Sequence, residues 1–232
     1  MNQNHQLTDD YYNIKDQCRA GLLSYLNKAC LKIPKAYNSR MLDVGCGTGV
    51  PTLWLAEHFA GTVTAIDMDC NATAFLQSKI IERNLQNRVK VLNLSFLDYK
   101  SEAEDFDIIL AEGCLHVIGF ESGFVSAIKI LKSGGYFIIH DEHSNHLEKR
   151  DFIQKNNCGI IETLYLDEYI WWDEYYRPLE IEIRRIKDKK LLDLFQSDMQ
   201  EIKNYRSGPS RFRSIYYVVK SEYKKDVRNF FN

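Results

Sequence analysis

Short apolar runs, each bounded by polar or glycine-containing turns, recur through the middle of the chain. Residues 40–45, 62–67, 88–94, 106–111 and 136–141 have the length and β-branched content of buried strands. Between them lie stretches with helical spacing that start near Val50, Asn71, Phe120 and Asn145, and Asn71 suits the N-cap of the second. Strand and helix alternate, which predicts a parallel sheet covered on both faces. Ser133-Gly134-Gly135 is expected to stop a helix over 125–132 and to turn the chain into the strand at Tyr136. A sixth strand is expected over 160–166, and a last one over 213–220, on Ile215-Tyr216-Tyr217-Val218-Val219.

Two segments fall outside this alternation. Residues 9–31 read as one amphipathic helix, with Tyr12, Leu22, Leu23, Tyr25, Leu26 and Leu31 available to an apolar face. Residues 167–207 carry helical patterning and an aromatic cluster of Tyr169, Trp171, Trp172, Tyr175 and Tyr176. No repeat, low-complexity tract or linker interrupts the chain. Residues 1–232 therefore read as a single domain: a cap helix over 9–31, a core over 40–166, a helical insertion over 167–207 and a closing strand over 212–220.

Composition narrows the function classes. The 232 residues can bury a substantial core, and a net charge of −2 provides no bulk attraction to nucleic acid or anionic membrane. The mixed charges Glu180, Glu182, Arg184, Arg185, Lys187, Asp188, Lys189 and Lys190 read as a solvated helix face. No apolar run approaches the ~20 residues of a membrane span, and the first ten residues lack a signal-peptide core. Six dispersed cysteines without a C-x-x-C spacing read as reduced thiols. A cytoplasmic location is expected, as a monomer or homodimer, with no nucleic-acid partner.

The chemistry concentrates where the first strand ends. In Leu42-Asp43-Val44-Gly45-Cys46-Gly47-Thr48-Gly49, three glycines alternate after an acid, and Pro51 sits near the start of the next helix. Glycine permits a turn closed to other residues, and the missing side chains let a ligand lie on the backbone beside unpaired helix N–H groups. About twenty residues on, Asp67 ends the second strand, the spacing at which an acid grips ribose hydroxyls. The pattern is G-x-G-x-G rather than the G-x-G-x-x-G that cradles a pyrophosphate.

This D-x-G-x-G-x-G pattern resembles the class I S-adenosylmethionine-dependent methyltransferases. Ala65-Ile66-Asp67, Phe106-Asp107-Ile108-Ile109 and Leu131-Lys132-Ser133-Gly134-Gly135 are similar to later motifs of that family, and the 112–120 and 171–176 stretches resemble a small-molecule, quinone-biosynthesis-type microbial branch. The resemblance implies a three-layer Rossmann-like fold with a seven-stranded sheet, mostly parallel, its last strand antiparallel. It also implies S-adenosyl-L-methionine as cofactor, held by Asp43, Gly45, Cys46, Gly47 and Gly49, with Asp67 on the ribose and Met68 on the adenine. The family's acid after the third strand is replaced by Ser95, so Ser95, the Phe96 amide or Asp98 is left to meet the adenine amino group. A methyl transfer to a small molecule follows, with a protein side chain as second acceptor class and a non-catalytic cofactor-binding module as the rival.

Glu112 and His116 follow the fourth strand, where the acceptor belongs. His116 suits a general base or a structural histidine; Glu112 suits a second candidate base, or a group that orients the methionine end or the acceptor instead of abstracting a proton. Tyr12, His116, Trp171, Trp172, Tyr175 and Tyr176 are the expected acceptor-lining residues, the aromatics serving either as a roof or as packing. His140, His143 and His146 are spaced three apart beside Asp141 and Glu142, but strand-to-loop geometry points them in different directions. They read as a solvated lip of the cleft, and no metal is expected.

Overall fold

The computed structural model describes residues 3–34, 38–101 and 105–222. Helices α1 (Gln3–Arg19) and α2 (Leu23–Cys30) precede β1 (Ser39–Val44), α3 (Val50–His58), β2 (Gly61–Asp67), α4 (Cys70–Glu82), β3 (Val89–Asn93) and β4 (Phe106–Glu112). Next come α5 (Leu115–Ile118), α6 (Phe120–Ile130), β5 (Leu131–Glu142), α7 (His146–Lys155) and β6 (Cys158–Leu166). The insertion holds α8 (Glu168–Trp171), a π-turn at Trp172–Tyr176, α9 (Arg177–Arg185), α10 (Lys189–Leu194) and α11 (Gln196–Ser207), and β7 (Ser214–Ser221) closes the fold.

The seven strands order as β3-β2-β1-β4-β5-β7-β6. Pairing is parallel from β3 through β5, and β7 runs antiparallel to both β5 and β6. The expected mostly parallel sheet with an antiparallel last strand is therefore present, and the chain reverses at β4 beside β1. Successive residues of a strand face opposite sides, so each strand supplies two cores. Met41, Leu110, Ile138 and Tyr216 pack with α2, α3 and α4 on one face. Leu42, Ile109, Phe137 and Tyr217 pack with α6 and α7 on the other. A third cluster joins α1 to the insertion through Cys18, Leu22, Tyr175, Tyr176, Leu179, Phe195 and Tyr205.

Three local expectations are corrected. The helix expected over 9–31 is two helices separated by a 3₁₀ turn at Ala20–Leu22. A Cβ on Gly21 would lie 2.7 Å from the Glu174 carbonyl oxygen, so the break and the glycine together admit the insertion's π-turn. Residues 133–135 do not stop a helix. α6 ends at Ile130, β5 starts at Leu131, and the β4–β5 register shifts between Phe106 and Ile108, so the glycines form an irregularity inside the strand. The N-cap of α4 is Asp69, whose carboxylate accepts from the Asn71 and Ala72 amides. Asn71 itself lies one residue inside the helix.

Helix α2 is a wall of the main core rather than a detachable cap: Leu26 is fully buried there, whereas Leu31, expected on the same apolar face, is 72% exposed. Leu26→Ala should therefore lower unfolding free energy by ~2–5 kcal/mol, while Leu31→Ala should stay within ~0.5 kcal/mol. Urea unfolding of the two variants measures the contrast.

Candidate functional site

A cavity of about 800 Å³ opens at the C-terminal ends of β1, β4 and β5, where the strand order reverses between β1 and β4. Ligands of open α/β sheets sit in that crevice. One half is the glycine loop. Gly47 adopts φ +51°, and a Cβ there would meet no protein atom within 4 Å, so the loop is open on its ligand side. The Gly47 amide donates to Asp67 Oδ2 at 2.7 Å, and the Asp69 amide to Oδ1 at 2.8 Å. Asp67 thus braces the loop from the end of β2.

Asp43, 1% exposed at the end of β1, accepts the Thr52 hydroxyl from α3 at 2.5 Å. Burial, opposed by that hydrogen bond, raises its pKa to about 7. A carboxylate this deeply buried lacks a full counter-charge, and a cation entering the cavity would supply one.

Helix α1 crosses the opening through a polar stripe at helical spacing, Tyr12, Lys15, Asp16 and Arg19, all facing the cavity. Asp16 accepts the Thr48 hydroxyl of the glycine loop and pairs with Lys79 of α4 at 2.5 Å. Lys15 pairs with the buried Asp198 of α11 at 2.7 Å, and Tyr12 packs on Phe75 with ring centroids 5.3 Å apart. Arg19 reaches Glu112 Oε1 at 3.0 Å, while the Tyr216 hydroxyl donates to Oε2 at 3.1 Å.

The second half of the cavity is walled by Glu112, His116, His140, Asp141, Trp171, Tyr175, Tyr176 and the 211–214 segment. His116 is partly exposed, and its Nδ1 stands 3.8 Å from Asp141 Oδ1, beyond hydrogen-bond range. Asp141 is buried and pairs with Lys149 at 2.8 Å. His140 is buried against Tyr216, its ring centroid 4.0 Å away at an interplanar angle of 4°.

A family model for a methyltransferase domain matches residues 35–182. The chain belongs to the class I S-adenosylmethionine-dependent methyltransferases. Phosphoethanolamine N-methyltransferase of Triticum aestivum is 26% identical to this chain over 186 residues, which cover 70% of this chain and 36% of the wheat protein. Sterol 24-C-methyltransferase erg6 of Schizosaccharomyces pombe is 25% identical over 124 residues, 51% of this chain and 33% of that protein. The chain thus spans less than half the length of these relatives. Among solved structures, the [4+2]-cyclase SpnF superposes with a TM-score of 0.74 at 16% identity, covering 86% of this chain and 80% of the cyclase. A putative sarcosine dimethylglycine methyltransferase from Galdieria sulphuraria gives 0.69 at 15% identity, covering 87% and 84%.

The fold brings ten sequence-predicted residues to one cavity: Tyr12, Asp43, Gly45, Cys46, Gly47, Glu112, His116, Trp171, Tyr175 and Tyr176. Gly49, Asp67, Met68, Ser95 and Phe96 stand outside its lining. Met68 is 73% exposed beside Asp67, and the Phe96 ring is buried in the sheet's second core. Trp172 turns away, stacking on Tyr205 at 5.3 Å and 12°. The histidine run is not a solvated lip throughout: His140 is interior, while His146 sits between the Tyr217 and Tyr165 hydroxyls at 2.8 and 3.0 Å. Sequence reasoning missed Lys15, Asp16, Arg19, Ser214 and Tyr216, and placed His140 at the cleft but not in its interior. The i, i+3, i+4, i+7 spacing of the α1 stripe was the available signal for the first three.

The geometry accepts S-adenosylmethionine. The open side of Gly47 admits a ligand against the backbone, and buried Asp43 suits an ammonium group.

Two buried groups set opposing pH dependences in the ligand-free protein. Asp43 binds its proton more tightly folded than unfolded, so its contribution to stability falls as pH rises from ~3.8 to about 7. Burial, with the charge of Arg19 adding, lowers the His140 pKa to about 3, so its contribution falls as pH drops from 6.5 toward 3. The windows overlap with opposite signs. Asp43→Asn should therefore unmask the histidine, and the urea midpoint of the variant should climb more steeply than wild type between pH 4 and 6.5.

Proposed function

We propose that this chain transfers the methyl group of S-adenosylmethionine to a small-molecule acceptor. The observation that carries the reading is the single cavity, continuous from the glycine loop to the aromatic wall and roofed by α1. Its volume of about 800 Å³ lies in the ~300–1,000 Å³ range of small-ligand sites. The relatives named for phosphoethanolamine and sterol methylation support a small acceptor. The cyclase with the same fold is the reason that chemistry has to be tested and not assumed.

The bound cofactor supplies an electrophilic methyl group on a sulfonium, and in-line displacement by the acceptor needs little more than positioning in a dry site. Asp43 takes the ammonium of the amino-acid tail. Asp67, oriented by the Gly47 and Asp69 amides, presents its carboxylate to the ribose hydroxyls. Met68 covers one side of the adenine, and Ser95, the Phe96 amide or Asp98 meets its amino group. Glu112, held by Arg19 and Tyr216, is an orienting group rather than a free base. His116 has no hydrogen-bond partner among the described residues and is the group available to take a proton from an acidic acceptor. Helix α1 and the π-turn exclude water from the reacting atoms, which is where Tyr12, Trp171, Tyr175 and Tyr176 act.

Calorimetric titration with S-adenosylmethionine tests the first half. Wild type should bind, Gly47→Val and Asp67→Ala should lose most affinity, and NAD should not bind; NAD binding instead would sink the reading. Incubation with labelled cofactor and a metabolite extract should form S-adenosylhomocysteine above the protein-free rate. Absence of turnover with intact binding would favour the non-catalytic module, and labelling of protein in the extract would favour the side-chain acceptor. His116→Ala should lower turnover ~10²-fold or more and remove its limb from the pH–rate profile; an unaltered profile removes His116 from proton transfer.

A further inference from the structure

The glycine loop has few amide donors left for a ligand. Gly45 and Cys46 donate to the Ile66 carbonyl at 2.8 and 3.0 Å, Gly47 to Asp67, and Gly49 to the Cys46 carbonyl at 2.8 Å. Across the cavity, the Gly113 amide donates to the His140 carbonyl at 2.9 Å. Each of these amides has one proton and gives it to an oxygen of the protein itself. An anionic group on a ligand lying against the loop therefore has to be met by a side chain.

Four cationic side chains border the cavity: Lys15, Arg19, Arg211 and Arg213. Lys15 is committed to the buried Asp198 and to the Tyr11 hydroxyl, and Arg211 and Arg213 belong to the segment that walls the other half. Arg19 gives an Nη2 proton to Glu112, and no other described residue accepts from its guanidinium. The side chain keeps 31% of its surface exposed, and none of its nitrogens is among the buried polar atoms that lack a partner. Its spare N–H groups, in a head that carries five, thus reach open space.

Strand register puts this cation beside Asp43. Asp43 stands opposite Leu110, and Glu112 lies two residues further along β4, so both carboxyl groups occupy one face at neighbouring strand ends. Arg19, bonded to Glu112, is near enough for its charge to act on Asp43. A ligand with an ammonium at Asp43 and a carboxylate at Arg19 would complete a row of alternating signs that ends on Glu112. The amino-acid end of S-adenosylmethionine carries both groups on one carbon.

We propose that Arg19 holds the carboxylate of the cofactor's amino-acid tail, which makes helix α1 a cofactor-binding element as well as a wall of the acceptor pocket. The proposal rests on S-adenosylmethionine as the cofactor and on Asp43 as the partner of its ammonium. Arg19 then serves two carboxylates at once, Glu112 through one nitrogen and the cofactor through the rest of the guanidinium edge.

Calorimetric titration with S-adenosylhomocysteine and with its decarboxylated analogue, which keeps the ammonium, the sulfur and the nucleoside, tests this. Wild type should bind S-adenosylhomocysteine roughly 10- to 100-fold more tightly than the analogue. Arg19→Gln should bring the two affinities within about threefold of each other, whereas a merely structural loss would weaken both compounds alike and leave their ratio in place. Equal affinities in wild type, or an undiminished ratio in Arg19→Gln, overturns the proposal. Should Arg19→Gln fail to fold, Arg19→Lys takes its place: an ammonium presents no two-nitrogen edge, so the ratio should narrow, and an unnarrowed ratio overturns the proposal equally. If wild type binds neither compound, the cofactor reading fails and this one with it; if it binds both alike, the carboxylate contact alone fails.

Discussion

Burial of the Glu112 carboxylate at the end of β4 is the constraint around which the site is arranged. An unpaired carboxylate at 7% exposure would carry a penalty of several kcal/mol, so partners must reach it from elsewhere in the chain. Arg19 arrives from α1, 93 positions away, and Tyr216 from β7, 104 positions away. Strand register makes the second contact possible: Glu112 stands opposite His140, and His140 opposite Tyr216, so three adjacent strands present these side chains in one row. The first contact fixes α1 across the cavity mouth. Roof and floor of the acceptor half are thereby tied through a single carboxylate.

The glycine-loop half is built differently. Its contacts are short-range in the fold: the glycine loop leans on Asp67 from the neighbouring strand, and Asp43 leans on Thr52 from the helix that the loop begins. Asp16 connects the halves, since it engages Thr48 of the loop and Lys79 of α4 while riding on the same helix as Arg19. Any displacement of α1 that opened the acceptor pocket would also release the glycine loop. Opening would expose the third core as well, because α1 contributes Cys18 to it and the following turn Leu22. The roof is thus an integral wall, coupled to the insertion by packing as well as by charge.

The sheet illustrates how one strand end serves two purposes. His140 and Asp141 are consecutive on β5 and point to opposite faces. One is sandwiched among aromatic rings and holds a neutral imidazole, the other pairs with Lys149 beneath α5 and α6. Both border the cavity because β5 ends there. A chain region that looks like a uniform run of histidines and acids is separated by pleat into a buried stacked ring and an ion-paired support.

What the sequence determined by itself is what short-range physics encodes. Strands announce themselves by apolar runs between turns, and the D-x-G-x-G-x-G loop announces itself because only glycine takes its left-handed angles while leaving room for a ligand. Fold class, the strands' order of appearance, the glycine loop and the placing of Glu112 and His116 at the cavity were legible on that basis. Tertiary structure alone decided the rest. Helix α1 breaks at Gly21 because Glu174, distant in sequence, presses a carbonyl there. Residues 133–135 form an irregularity inside β5 because Leu131 and Tyr136 on either side of them pair with Phe106 and Ile108 of β4. Trp171 faces the cavity while its neighbour Trp172 stacks on Tyr205, since successive positions of a helix point ~100° apart and the insertion's packing fixes which one faces inward. His140 meets Ser214 and, through the same hydroxyl, Trp171, 74 and 31 positions away, and no local pattern records partners that only the fold brings together.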